Sequence, residues 1–296
     1  MNSKTARPSF LKNLKHTLKI FGGSLKNLKQ DPLQPRSEKI NIKPNTLQVW
    51  MIGHATTLIN FYGTVILTDP VFSDALPIPK RVVKAAYRIK ELPLLDVVFI
   101  SHAHRDHLDK ASLRQLSKKT KTVVVSRNCS RFVKRAKFKR MLELDWGQEQ
   151  KLNGLTVKAF KPVHWGERYP WQTYLNLGYN SYLLKKNGKS VFFCGDSAYG
   201  EFFKSVSNPQ SIDLAILPIG AYLPPSFRKH HMDPADALKA FSDLRAKYLI
   251  PIHWGNFRLS LEPLDEPPKR LAELAAQKGV KERVYILKNG ESFELT

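Results

Sequence analysis

The sequence is short of cysteine, of acidic residues and of long apolar runs. Two cysteines in 296 residues, Cys129 and Cys194, exclude a disulfide framework and an all-cysteine zinc site. So low a count suits a reducing compartment. Cys194 lies inside an apolar run and reads as a small core residue. No stretch reaches the roughly 18 uninterrupted apolar residues that cross a bilayer. Lys15 and Lys19 interrupt the apolar region that a secretory signal needs. The expected setting is therefore cytoplasmic, with no signal peptide and no transmembrane helix.

The scarcity of acid is the most consequential of the three. Only 25 Asp and Glu stand against 48 Lys and Arg, for a net charge of +23. Residues 1–46 hold ten Lys or Arg and two acids, so +8 resides there and +15 in the body. Charge of this sign suits anionic lipid or nucleic acid and does not by itself choose between them. Leu11, Leu14, Leu18, Phe21, Leu25 and Leu28 recur at spacings of three and four, with Lys12, Lys15, Lys19, Lys26 and Lys29 between them. On a helix this makes a narrow apolar stripe beside a basic face. Gly22-Gly23 interrupts the pattern, so two short helices fit as well as one. Such a segment could lie on the inner face of an anionic membrane, pack on its own domain, or remain a tail. Residues 31–44 read as a Pro-containing linker. The expected organisation is residues 1–46 as a basic amphipathic segment and linker, and 47–296 as one domain.

What the chain has in abundance is histidine at one place. His102-Ala103-His104-Arg105-Asp106-His107 puts four metal-ligand side chains in six residues, directly after Val97-Val98-Phe99-Ile100. Imidazole and carboxylate suit zinc and its first-row neighbours. A solvated surface loop is the competing reading, but a strand exit has no packing reason to gather three imidazoles and a carboxylate. The pattern "apolar strand, then a donor" repeats at His164, Asp196 and His253. Two metals could be served by such a set, and two metals can generate hydroxide near neutral pH.

Alternation and turn signals predict strands over 47–52, 57–61, 64–68, 96–100, 122–125, 155–161, 180–185, 190–194, 213–217, 249–252 and 284–287. Asn187-Gly188 reads as a hairpin turn. Helices are expected over 109–118, 128–136, 199–206, 234–246 and 267–278, with Asp233-Pro234 as a helix start. This is an α/β pattern.

The loop His102-x-His104-x-Asp106-His107, followed in order by His164, Asp196 and His253, resembles the metallo-β-lactamase superfamily. Trp50-Met-Ile-Gly-His-Ala-Thr-Thr57, Leu67-Thr-Asp-Pro-Val-Phe-Ser73, Glu143-Leu-Asp-Trp146, Ile219-Gly-Ala-Tyr222, Ile252-His-Trp-Gly-Asn-Phe257 and Glu262-Pro-Leu-Asp-Glu-Pro-Pro268 narrow the resemblance. They are similar to the branch containing N-acylphosphatidylethanolamine-hydrolysing phospholipase D and its bacterial relatives, over roughly residues 48–296.

The resemblance implies an αββα sandwich of two mixed sheets with helices outside. It implies two Zn2+, with Fe or Mn as substitutes: one on His102, His104 and His164, the other on Asp106, His107 and His253, with Asp196 bridging. A hydroxide shared between them would be the nucleophile, with Asp106 part of the catalytic set. Asp69, with His54 beside it, is the expected support for the ligand histidines. His231, in His230-His231-Met232-Asp233-Pro234, matches a branch histidine that could hold the scissile phosphate or protonate the leaving alkoxide; a histidine bonded near a helix start is the bland alternative. Tyr222 could line the same pocket. The implied substrate is a phospholipid of the N-acylphosphatidylethanolamine type, cleaved to phosphatidic acid and an N-acylethanolamine. Other readings stay open: a metal-dependent lactonase or esterase on a small soluble substrate, a nuclease, or a non-catalytic binding module. Against nucleic acid stands the lack of aromatic–basic interleaving that stacks bases. A homodimer is left open.

Overall fold

The computed structural model describes residues 39–74, 79–169, 171–207 and 209–295. The amphipathic pattern of residues 11–28 lies outside the described residues, as does most of the expected linker. The last part of that linker is seen: Ile40 and Ile42 pack, partly buried, on the domain's apolar core.

Two mixed sheets face each other. The first contains β1 (Leu47–Gly53), β2 (Thr56–Phe61), β3 (Thr64–Thr68), β4 (Leu95–Ile100), β5 (Thr120–Ser126), β6 (Arg140–Leu144) and β13 (Ser292–Leu295), in the order β13-β1-β2-β3-β4-β5-β6. The second contains β7 (Glu149–Leu152), β8 (Leu155–Phe160), β9 (Ser181–Lys186), β10 (Lys189–Phe193), β11 (Leu214–Pro218) and β12 (Tyr248–Ile252), in the order β12-β11-β10-β9-β8-β7. Each sheet joins an antiparallel meander to a parallel run. In the first, β3, β4, β5 and β6 are parallel; in the second, β10, β11 and β12 are.

The layering follows from the strand sequences. Val97 and Phe99 of β4 point into the core between the sheets, while Val98 and Ile100 point to the outer face. Both faces are buried, which is why the strand reads as an unbroken apolar run. Helices α1 (Lys110–Leu116) and α2 (Ser130–Val133) cover the outside of the first sheet; α3 (Phe202–Val206), α4 (Pro234–Asp243) and α5 (Glu266–Gln277) cover the second. The result is the expected αββα sandwich. Asp109 caps α1 through the amides of Ala111 and Ser112. Asp233 caps α4 in a reciprocal box with Asp236, and Pro234 follows it. Asn187 and Gly188 both hold positive φ, 52° and 71°, as a tight hairpin between β9 and β10 requires.

Several expected elements differ. Residues 284–287 are not a strand; Val284 makes one isolated bridge to Leu249, and no ladder continues from it. Val284 and Ile286 pack beneath the helices of the second sheet, and Leu287 joins the core between the sheets. The strand at this end is β13, which pairs with β1. The edge strands β6 and β7 were not expected. The helix expected over 128–136 is four α residues followed by a 3-10 turn, closed by Lys137 at φ 60°. Among the described residues, no helix is long and apolar enough to cross a membrane.

Candidate metal centre

The expected donors meet at one edge of the sandwich, mostly beyond the carboxyl ends of the parallel strands. Asp69 follows β3, His102 to His107 follow β4, Asp196 follows β10, and His253 follows β12. His164 comes from the loop after β8, and His54 from the turn between β1 and β2. Parallel strands end together, so their exit loops share one rim, the usual place for a site in an α/β sheet.

Close backbone approach sets this rim. Gly195 holds φ +65°, and a β-carbon there would sit 2.7 Å from Cβ of Ser101. The ends of β4 and β10 can therefore touch, bringing Asp196 to the histidine loop. A β-carbon on Gly220 would lie 2.1 Å from the carbonyl oxygen of His253. His54, Asp69 and His253 themselves hold φ 61°, 32° and 65°. Left-handed backbone is costly for residues with a β-carbon, and such positions gather at functional sites.

The donor atoms form two adjoining groups. In the first, His102 Nε2 lies 2.8 Å from His104 Nδ1, which lies 3.4 Å from His164 Nε2. Asp196 Oδ2 is 4.0 Å from His102 Nε2 and 3.8 Å from His164 Nε2. In the second, Asp196 Oδ2 is 3.1 Å from Nε2 of both His107 and His253. Asp106 Oδ2 is 3.6 Å from each of those nitrogens. Asp196 thus stands between the groups. His102, His107, His164, Asp106, Asp196 and His253 are all buried.

Three of the rings, His102, His107 and His164, are held from their far side. His107 Nδ1 donates to Asp69 Oδ2 at 2.7 Å. Ser101 Oγ donates to the same oxygen at 2.6 Å and lies 2.9 Å from His102 Nδ1, which can donate to it. His164 Nδ1 donates to the carbonyl of His230 at 3.0 Å. In His102 and His164 the proton is held on the outer nitrogen, so their inner nitrogens present lone pairs toward His104. Lone pairs do not attract. His107 Nε2, His253 Nε2 and Asp196 Oδ1 are also buried without a hydrogen-bond partner. A cation between the donors resolves both faults, and the donor set of imidazole and carboxylate fits a divalent first-row metal. Three such donor groups, all within the described residues, are close enough to hold an ion: His54, Asp106, His107 and His253; His102, His104, His164 and Asp196; and Asp196, His231 and His253.

Charge separates the two groups. Burial drives His102 and His164 well below the ordinary imidazole range and His104 down to about 4. Burial also pulls on His253, but the facing carboxylates of Asp196 and Asp106 overturn it and raise His253 to about 9; His107 rises beside Asp196, Asp106 and Asp69. Burial opposes ionisation of Asp106 and Asp196, and the imidazoles around them, His107 foremost, overcome that and hold both well below the usual carboxylate range.

His54 Nε2 lies 3.1 Å from Asp106 Oδ2, beside the second group; its backbone amide donates to Asn256 Oδ1 at 2.6 Å. His231 is buried, with Nδ1 unpartnered and 3.8 Å from Asp196 Oδ2. Its ring stacks on His253 at 5.4 Å. Tyr222 is buried, its hydroxyl unpartnered, and no ring contact among the described residues joins it to the imidazoles. The loop carrying it is held by Glu262, which accepts from the amides of Ala221, Tyr222 and Leu223 at 2.6, 3.3 and 3.0 Å.

Sequence reasoning gave no role to Ser101, Asn256, Glu262, Trp165 or Arg168. Trp165 covers His104 and His164 at ring distances of 4.7 and 4.3 Å. Arg168 clamps the donor loop by donating to the carbonyls of Ala103 and Leu108. Ser101 and Trp165 adjoin donors in sequence, and Asn256 and Glu262 fall in segments that carry the family resemblance, which were the available signals; Arg168 had none. A cleft of about 590 Å3 opens beside His104 and Asp106, with Arg105, Trp165, Arg168 and Tyr169 on its walls.

Fold and donors together define a domain of the metallo-β-lactamase fold with a candidate metal centre. Residues 64–254 match the model of the β-lactamase superfamily domain, and the chain belongs to that family. It is 33% identical over 255 residues to the mitochondrial N-acyl-phosphatidylethanolamine-hydrolyzing phospholipase D of Saccharomyces cerevisiae, covering 81% of this chain and 54% of that protein. The chain thus spans about half the length of the yeast relative. It is 29% identical to N-acyl-phosphatidylethanolamine-hydrolyzing phospholipase D 1 of Caenorhabditis elegans, covering 79% of this chain and 72% of that one. Among solved structures, a metallo hydrolase from Ignicoccus hospitalis shares the fold with a TM-score of 0.67 at 20% identity, covering 85% of this chain and 99% of that one.

Proposed function

We propose that this chain is a dinuclear zinc phosphodiesterase of phospholipase D type, acting on N-acylphosphatidylethanolamine-like lipids. The observation that carries the reading is Asp196, one buried carboxylate shared by two donor groups. The similarity to the yeast and nematode phospholipases D supports the substrate class. His102, His104 and His164 would hold one cation, Asp106, His107 and His253 the other, with Asp196 common to both. When bound, such a pair supplies positive charge for a phosphoryl oxygen and lowers the pKa of water.

The chain's own groups then position the reaction. Water adds to phosphorus, the bond from phosphorus to the ethanolamine oxygen breaks, and the leaving oxygen takes a proton. Products are phosphatidic acid and an N-acylethanolamine. Asp69 and Ser101 keep the ligand rings turned inward. His231, unpartnered on the rim, holds a phosphoryl oxygen or hands a proton to the leaving oxygen. Trp165 and Tyr169 line the cleft through which a lipid's apolar part would enter.

The test is to incubate the metal-loaded chain with vesicles containing N-acylphosphatidylethanolamine and measure both products. Stoichiometric N-acylethanolamine and phosphatidic acid are expected, and His231→Ala should lower kcat by about a hundredfold or more with metal content unchanged. A fully loaded chain that releases neither product contradicts the substrate assignment.

A further inference from the structure

Charge on this chain is not evenly spread. From Lys110 to Arg140 there are twelve Lys or Arg and no Asp or Glu. Some of these have conventional roles: Lys121 pairs with Asp96, Arg127 pairs with Asp145, and Lys119 caps the carbonyls of Ile89 and Leu92. Four others converge on one pocket of about 440 Å3 outside the metal centre. Lys110 and Arg114 come from α1; Arg131 and Arg135 come from α2 and the turn after it. Among the described residues, none of the four has a carboxylate partner.

Four cations facing one concavity repel each other, and a scattered basic surface would not place them so. Burial together with Arg168, Arg135 and Arg114 holds Lys110 below its usual value. The remaining walls are mostly apolar, Phe132, Ala136, Tyr174 and Leu175, with the Gln172 amide a further polar group. A bare inorganic ion would leave those walls unused, and an apolar ligand would leave the cations uncompensated. The volume is that of a small-molecule site. Guanidinium groups pair in forks with phosphate oxygens.

We propose that the pocket between α1 and α2 binds a phosphomonoester, with the phosphate on Arg114, Arg131, Arg135 and Lys110 and an organic body against Phe132 and Tyr174. The site is separate from the metal centre and does not depend on the substrate assigned above. It backs onto the same segment as the cleft: Thr173 lines the cleft, while Gln172, Tyr174 and Leu175 line the pocket. The phosphomonoester could be a free metabolite or the headgroup of a lipid.

Calorimetric titration of the metal-loaded chain with glycerol 3-phosphate reads the first source. Co-flotation with phosphatidylcholine vesicles, with and without phosphatidic acid, reads the second. Binding in either arm is expected to weaken at least about tenfold in Arg114→Gln/Arg135→Gln. It should persist in Asp196→Asn, which separates the pocket from the metal centre, and in Lys151→Gln/Lys185→Gln, which removes equal charge from the other sheet. Loss only in the vesicle arm assigns a lipid headgroup; loss in both assigns the phosphomonoester itself. No binding in either arm, equal weakening by the control pair, or preference for a short single-stranded RNA would overturn the proposal.

Discussion

The two donor groups share Asp196 but are built differently. His102, His104 and His164 are three imidazoles, two of them oriented by neutral acceptors, the Ser101 hydroxyl and the His230 carbonyl. Asp106, His107 and His253 include a second carboxylate, and here the supports are ionisable, Asp69 behind His107 and His54 beside Asp106. The first group is therefore neutral apart from the shared carboxylate, and the second adds a carboxylate, Asp106, that with Asp196 holds His107 and His253 above the usual imidazole range. One fold edge makes a nitrogen-rich seat and an oxygen-richer seat side by side. Donor chemistry of this kind would favour zinc in the first and would admit harder ions such as manganese in the second.

Replacing the shared carboxylate breaks the comparison most completely. Asp196→Asn is expected to empty both seats and lower hydrolysis by more than a thousandfold, read as metal per chain and as rate; an intact metal content would show that Asp196 is not common to both. Separate losses come next. His104→Ala should cost the nitrogen-rich seat alone and His253→Ala the other alone, so each variant should retain about half the metal. Loss of both ions from either variant would mean that the seats are not independent.

Asp69 serves both seats, directly through His107 and through Ser101 to His102. Asp69→Asn should weaken metal retention about 10- to 100-fold in both, measured by competition with a chelator; weakening in the second seat alone would remove the Ser101 relay. Smallest is Gly220→Ala. Its new β-carbon meets the His253 carbonyl, so about 1–3 kcal/mol of stability should be lost in denaturant unfolding, and the second seat should loosen before the first.

The donors were legible because each follows an apolar strand that local pattern already marks. His102 to His107, His164, Asp196 and His253 needed only residue order. Strands buried on both faces, such as β4, announce themselves by composition. The edge strands β6 and β7, Arg-Met-Leu-Glu-Leu and Glu-Gln-Lys-Leu, are half exposed and carry charge, so the apolar signal fades. Val284 to Leu287 misled for the opposite reason. An apolar run can be required by packing alone, and whether a ladder partner is free is a tertiary matter. Glu262 was invisible as a support because its three amide partners lie some 40 residues away in sequence. The four cations between α1 and α2 are separate in sequence and meet only when the helices pack.

The most direct test of the shared carboxylate is anomalous scattering from crystals of the metal-loaded chain. The account predicts two peaks about 3.5–4 Å apart, one among His102, His104 and His164 and one among Asp106, His107 and His253, with Asp196 reaching both. A single peak, or two peaks of which one lies away from Asp196, would contradict it.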